Sequence, residues 1–334
     1  GAEVIKIEEP GVGDYCRALS EEMFQLVNRG KKSVVLDLRK PEDAEAFRRL
    51  AEDADVVLES FRPGVMEKLG CDYERLRARN PKLVYAALTG YGQTGPYARR
   101  PGHDMNYRGY AGDLDQNAAA GGAPVQGNFQ VADLAGGALT CAVGILAAVL
   151  GARASGQGTF VDVGMMDGTL ALQVAALSAR RTVGTTPRPG EDGLSGAVPN
   201  YALYETADGR HLAVGSLEFK FFKRLLELAG ATDLLKLPLA PGAKGEPLRQ
   251  ALKALFKQRT RDEWEALLAH EDTCVSGILT LDEALENEQV KARELVEQVN
   301  GKPAIALPIR FSHAQATRGE APALGAHTEE VLRR

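Results

Sequence analysis

The chain of 334 residues carries 40 Lys and Arg against 45 Asp and Glu, a formal net charge of −5 with His neutral. That balance excludes a general electrostatic footprint for nucleic acid or an anionic membrane surface, so an anionic partner is expected to be a small molecule met by local basic clusters. The 44% hydrophobic and 25% charged fractions are those of a globular protein rather than a collagen-like or disordered one, and the length favours two domains or one domain with a large insertion.

The chain opens abruptly inside a strand-like run, GAEVIKIEEP, with no Met and no signal-peptide pattern, and reads as a fragment without its natural start. Apolar, β-branched runs follow at Val4 to Ile7, Ser33 to Leu38, Val56 to Leu58, Leu83 to Leu88 and Phe160 to Val163, with helical patterns between them. The alternation predicts a parallel sheet with crossover helices. Pro41 to Glu52 reads as one such helix, with Pro41 at its start, acids in its first turn and Ala44, Phe47, Leu50 and Ala51 on one stripe. The uncharged run Leu134 to Gly151 just meets the length of a membrane span, but its Gly and Ala content predicts a helix buried in the protein, and no membrane association is expected. Residues 1–180 read as the first part of a large domain, and the Gly/Pro/Thr-rich stretch 181–199 as a linker. Residues 200–299 read as a smaller α+β domain that begins with a hairpin around Asp208-Gly209 and continues with helices to about Val299. Residues 300–334 return to strand and then helix character.

Cys16, Cys71, Cys141 and Cys274 lie far apart, without a CxxC pair or a neighbouring His, so neither a zinc site nor a disulfide framework is indicated. A reducing, cytoplasmic compartment is the expectation, with no metal. The pattern G-x-G-x-x-G occurs from Gly90 to Gly95 after a strand, but the following PYARRPGHD holds two prolines and no apolar stripe, so no helix N-terminus is offered to a dinucleotide. Basic residues gather at Arg29, Lys31 and Lys32, and at Arg62 and Lys68, beside the ends of predicted strands where open α/β sheets bind ligands. An adenine ring could lie against Phe61 or Arg62, although solvated surface charge explains the same residues. Asp133 directly precedes the apolar helix, a natural N-cap position that is also suited to reaction chemistry. His103 sits in RPGHDMNYRGYAGDL, which reads as a loop fenced by Pro and Gly, and Glu218 stands where a helix follows a strand.

Taken together, GAEVIKIEEPGVGD, NRGKKSVVLDLRKPE, DVVLESFRPGVMEKLG, LVYAALTGYGQTGPY, GHDMNY, VADLAGGAL, GQGTFVDVGMMDG, YETADGRHLAVGSLE and LGAHTEEVLR resemble, in order, the CaiB/BaiF family of family III CoA transferases and α-methylacyl-CoA racemases. The resemblance implies an α/β fold with a Rossmann-like, parallel-sheet, CoA-binding large domain and a smaller α+β domain. It further implies an interlocked homodimer, a tail returning to the large domain, and roughly two dozen residues missing from the N-terminus. Acyl-CoA is the implied substrate, with no cofactor beyond its CoA, which would be held by Asn28, Arg29, Lys31, Phe61, Arg62, Lys68 and Gly92.

In the family's transferases the position of Asp133 is a nucleophile that forms an acyl anhydride, and in its racemases it is an acid/base. The racemases add the histidine of a Gly-His-Asp-x-Asn-Tyr motif, matched here at His103, with Asp104 and Glu218 implied to position or polarise the pair. A racemase needs two proton-transfer groups on opposite faces of one carbon, and His103 and Asp133 fit that need. Backbone N–H groups near Asp133 and Leu134 are expected to meet the enolate oxygen, given a helix start there. Two departures stand out: Phe129 replaces an Asn typical of racemases four residues before Asp133, and GLSGAVPN replaces the glycine run of formyl-CoA-type transferases. The sequence therefore points first to a racemase of α-branched acyl-CoA thioesters, second to a CoA transferase, and third to a non-catalytic acyl-CoA-binding protein.

Overall fold

A computed structural model describes residues 2–314 and 319–333 of the chain. Its described strands are β1 (Ile5–Glu8), β2 (Lys32–Val35), β3 (Val56–Glu59), β4 (Val84–Thr89), β5 (Phe160–Gly164), β6 (Tyr201–Glu205), β7 (His211–Gly215), β8 (Val275–Gly277), β9 (Val296–Val299) and β10 (Lys302–Ile305). β1 pairs with β2, and β3, β4 and β5 form a second ladder in that order, all parallel. β6-β7-β8 and β9-β10 are antiparallel. The chain is thus mixed α/β with a parallel sheet, and the first five strands lie where the apolar runs placed them.

The chain packs as two compact units, one of residues 1–100, 138–164 and 281–334, the other of residues 101–137 and 165–280. Residues 101–137 and 165–180, read from the sequence with the large domain, group instead with the hairpin region. The sequence boundary followed a change of composition, whereas the units follow contacts.

In the first unit β4 is covered on both sides, and Val84, Tyr85, Ala86 and Ala87 are buried in succession, as a central parallel strand requires. The Pro41–Glu52 helix forms as read, with Pro41 in its first turn, Glu42 and Asp43 beside its positive end, and Ala44, Ala46 and Ala51 buried. Phe47 packs with Ala51, Val57, Leu76 and Tyr85. The C-terminal segment joins β2: the Ser33 N–H donates to His327 Nδ1 (3.2 Å), the His327 N–H to the Ser33 carbonyl (2.9 Å), and the Val35 N–H to Thr328 Oγ1 (3.0 Å). Val331 then closes a small core with Val34 and Leu36. β9 occupies residues read from the sequence as helix, because Asn300 (φ 52°) and Gly301 (φ 73°) turn the chain into β10. Asn-Gly supplies the two left-handed residues that a tight hairpin turn demands.

In the second unit the expected hairpin forms around Gly209 (φ 76°), and Tyr204, Leu212 and Val214 enter a core with Phe222, Leu252, Phe256 and Trp264. The Trp264 indole N–H is satisfied by the Phe256 carbonyl at 2.9 Å.

One continuous helix spans Ala132–Ser155, wound as a π-helix over Ala132–Leu139 and as an α-helix from Thr140. It was expected to be buried, but among the described residues most of it is not covered. Cys141 and Ile145 pack against Ala86 and Val163, while Leu139, Val143, Leu146 and Leu150 are each more than 60% exposed. Composition reports that a helix is apolar, not whether its own chain supplies the cover.

Candidate active site

The segment read as a loop at His103 is helical. Asp104–Ala111 forms two turns with His103 as N-cap, and the His103 N–H is held by Asn106 Oδ1 at 3.0 Å. The Tyr107 hydroxyl donates to the Gly102 carbonyl, and Gly112 (φ 80°) ends the helix. Pro101, Gly102 and Gly112 therefore mark the helix's ends. His103 itself is exposed, as a proton-transferring imidazole must be to meet a substrate.

Asp133 is not the N-cap that the sequence suggested, because Val131 and Ala132 are already helical. The capping carboxylate is Asp104, whose Oδ1 accepts the N–H groups of Ala132 (2.7 Å) and Asp133 (3.2 Å). The Leu134 N–H donates to the Gln130 carbonyl at 3.0 Å. Both N–H groups expected to form an oxyanion hole are thus engaged, which corrects that expectation: the helix begins earlier, and its first donors are turned to Asp104.

The helix bearing Asp133 is held by an unusually close approach. A Cβ on Gly168 would fall 2.0 Å from the Gly136 carbonyl oxygen, and one on Gly136 would fall 2.5 Å from Thr169 Oγ1. Only glycine at both positions lets the Met165–Ala171 helix press on the π-helical turn. π-Turns widen a helix and re-aim its side chains, a geometry frequent at functional sites.

Burial raises the pKa of the Asp133 carboxyl above its ordinary value, the Asp104 charge raises it further, and His103 opposes both. His103, Asp104 and Asp133 therefore form one electrostatic group within one unit. Glu218 belongs to the same unit as the exposed N-cap of the Phe219–Leu228 helix, and its side chain makes no capping hydrogen bond. The geometry ties the first three together; it gives Glu218 a place on a helix start but, among the described residues, no hydrogen bond or ion pair with them.

The sequence reasoning missed Arg108 and Asp113. Arg108 is buried, its Nε donating to Asp113 Oδ2 (2.5 Å) and its Nη1 to the Phe129 carbonyl (3.3 Å), with Asp104 Oδ2 3.7 Å from Nη1. The i,i+4 spacing of Asp104 and Arg108 was the signal, legible only once the segment is read as a helix.

The CoA-binding candidates all lie in the other unit. Asn28 is buried, its side-chain amide donating to the Phe24 carbonyl (3.2 Å) and its Oδ1 accepting from Lys31 Nζ (2.9 Å). Burial lowers the Lys31 pKa, and Lys6 adds to that effect. Arg29 pairs with Glu297 and donates to the Ile305 carbonyl at 2.9 Å, so its guanidinium is engaged in tying β9 and β10 to the Asn28–Gly30 turn. Phe61, Arg62 and Lys68 are exposed beyond the carboxyl end of β3. There the Glu59 carboxyl, which accepts the Phe61 N–H at 2.7 Å, is pushed up to about 7 by burial, with Glu67 adding to it. Gly92 (φ 78°) turns the loop after β4, and no helix follows that loop before residue 104, which disposes of the dinucleotide pattern.

Comparison with known proteins gives the family. The family model for CoA-transferase family III matches residues 1–328. The chain is 34% identical to the alpha-methylacyl-CoA racemase of Homo sapiens, over 99% of this chain and 86% of that protein. It is also 34% identical to the succinate–glutarate CoA-transferase of Agrobacterium fabrum, over 99% of this chain and 88% of that protein. A crystal structure of a CAIB/BAIF family protein from Brucella suis superposes with a TM-score of 0.86 at 30% identity, covering 99% of this chain and 91% of that one. With a match that runs through both units, the chain belongs to CoA-transferase family III, the CaiB/BaiF family of racemases and CoA transferases.

Proposed function

We propose that the protein interconverts the epimers of an α-branched (2-methyl) acyl-CoA thioester through an enolate, with His103 and Asp133 as the two proton-transfer groups. The observation that carries this reading is that Asp104, the residue next to His103, accepts the N–H groups of Ala132 and Asp133 and so brings His103 and Asp133 to one place in the fold. In one direction the free-base imidazole of His103 takes the α-proton, and the C–H electron pair passes into the thioester carbonyl as the enolate. The enolate carbon then takes the Asp133 carboxyl proton on its other face, leaving a carboxylate and an imidazolium for solvent to reset. The raised pKa of Asp133 suits it to hold that proton at higher pH than an ordinary aspartate. Asp104 acts by positioning, and the family resemblance alone assigns Glu218 to position or polarise the pair.

The same proposal assigns recognition of the CoA moiety to Asn28, Arg29, Lys31, Phe61, Arg62, Lys68 and Gly92, with no cofactor beyond the substrate's own CoA. It places the protein in the cytoplasm, supported by four unpaired cysteine thiols, and makes it an interlocked homodimer. The exposed apolar face of Leu139, Val143, Leu146 and Leu150 supports a second chain as its cover. A single-chain mass in sedimentation would exclude the dimer.

A second reading is favoured by the similarity to a succinate–glutarate CoA-transferase. In it the Asp133 carboxylate attacks the thioester carbonyl, expels CoA thiolate and forms an acyl anhydride. The thiolate returns to the Asp133 carbonyl, releasing the donor acid as carboxylate and leaving an aspartyl-CoA thioester. The acceptor carboxylate reopens that thioester by the same steps in reverse and leaves with CoA. Incubation of a 2-methylacyl-CoA in deuterated water separates the readings: α-proton exchange supports the racemase. CoA transfer to a free carboxylate without exchange supports the transferase, and binding with neither supports a non-catalytic acyl-CoA-binding protein.

A further inference from the structure

We propose that Arg108 is a positioning residue for the reacting carboxylate: its buried guanidinium fixes Asp104, and Asp104 in turn fixes the backbone of Ala132 and Asp133. Arg108 is 4% exposed. A buried guanidinium is costly unless its charge is paired, and this one meets three groups through Nε and Nη1. Nε meets Asp113 Oδ2 (2.5 Å), Nη1 meets the Phe129 carbonyl (3.3 Å), and Asp104 Oδ2 lies 3.7 Å from Nη1. Asp104 therefore spends one oxygen on Arg108 and the other on the first N–H groups of the Asp133 helix. The Phe129 carbonyl lies just before that helix, so Arg108 holds the entering chain as well as its cap. Asp113, the first residue of the short Asp113–Gln116 helix that follows the Asp104–Ala111 helix, fixes another side of the guanidinium. Arg108 touches no reacting atom; it acts through Asp104.

The inference rests on Asp133 as the reacting carboxyl, which the racemase and transferase readings share. It is tested on the full chain with Arg108→Met, Arg108→Lys and Asp113→Asn, by kcat, KM and hydrogen exchange of individual amides without substrate. Arg108→Met is expected to lower kcat about 10- to 100-fold with KM within about twofold, the scale of a displacement near 1 Å at the reacting group. Protection of the Ala132 and Asp133 amides should be lost while that of Leu212 and Val214, in the core of the same unit, is kept. Arg108→Lys should restore most of both, since a cation again faces Asp104. If Arg108→Met does not fold, Asp113→Asn is expected to show the same pattern more weakly. Wild-type kcat and wild-type protection in whichever of these two variants folds would overturn the inference. An active Asp133→Ala variant would overturn the reading of the site itself, and the inference with it.

Discussion

Glu8 offers the sharpest test of how the first unit is held together. It is 4% exposed at the end of β1, and its carboxylate accepts from Arg17 Nε (2.8 Å) and Nη2 (2.9 Å), from Ser33 Oγ (2.6 Å) and from the Asp14 N–H (2.9 Å). Arg17 Nη2 also donates to the Pro322 carbonyl (3.0 Å) and Ser33 Oγ accepts the Gly325 N–H (2.9 Å), so this carboxylate joins β1, β2 and the C-terminal segment. Burial alone would raise the pKa, but the hydrogen bonds from Arg17, Ser33 and Asp14 outweigh it and bring Glu8 from 4.5 to about 2. At about 1.4 kcal/mol per unit, that depression corresponds to about 3 kcal/mol of folding stability. Because the folded-state pKa is the lower one, the contribution is complete above about 4.5 and is lost as the pH falls through about 2. Glu8→Gln should therefore cost about 3 kcal/mol at pH 7. In urea unfolding followed from pH 7 to pH 3, the gap to wild type should narrow by up to about 1.4 kcal/mol per unit below about pH 4.5. A gap that stays constant over that range would refute the reasoning.

Asp104→Asn removes the charge that, after burial, raises the Asp133 pKa, so the limb of the pH–rate profile that reports Asp133 protonation should move to lower pH. Turnover should fall about tenfold as the grip on two N–H groups weakens, and an unmoved limb would contradict the coupling. Gly168→Ala puts a methyl 2.0 Å from the Gly136 carbonyl oxygen, which must shift the helix carrying Asp133. Thermal unfolding should report a loss of about 1–3 kcal/mol or more, with a fall in turnover beyond what that loss explains; wild-type behaviour in both would contradict the close packing.

Elements whose signals are local were legible in the sequence. The β-branched runs became β1 to β5, and Pro41 with its acidic first turn became the helix those residues describe. The errors arose where a residue type serves two purposes. Gly109 and Gly112 suggested a loop around His103, yet Gly109 lies inside the helix and only Gly112 ends it. Asp133 suits an N-cap by type, but the cap came from Asp104, 29 positions away, which no local rule finds. That displacement also removed the expected oxyanion hole. The apolar run after Asp133 read as buried, whereas its cover is absent from the chain's own described residues. Arg108 escaped notice because an arginine in a polar loop is unremarked, while the same arginine buried between two aspartates organises the site.

The most direct test of the central claim is α-proton exchange in deuterated water, followed by mass and chirality for each epimer of a 2-methylacyl-CoA, with wild type, His103→Ala and Asp133→Asn in parallel. Exchange with inversion by wild type, and losses of about 10²- to 10⁴-fold in both variants, are the expected result for two proton-transfer groups. No exchange by wild type, or His103→Ala inverting the substrate at the wild-type rate, would contradict it.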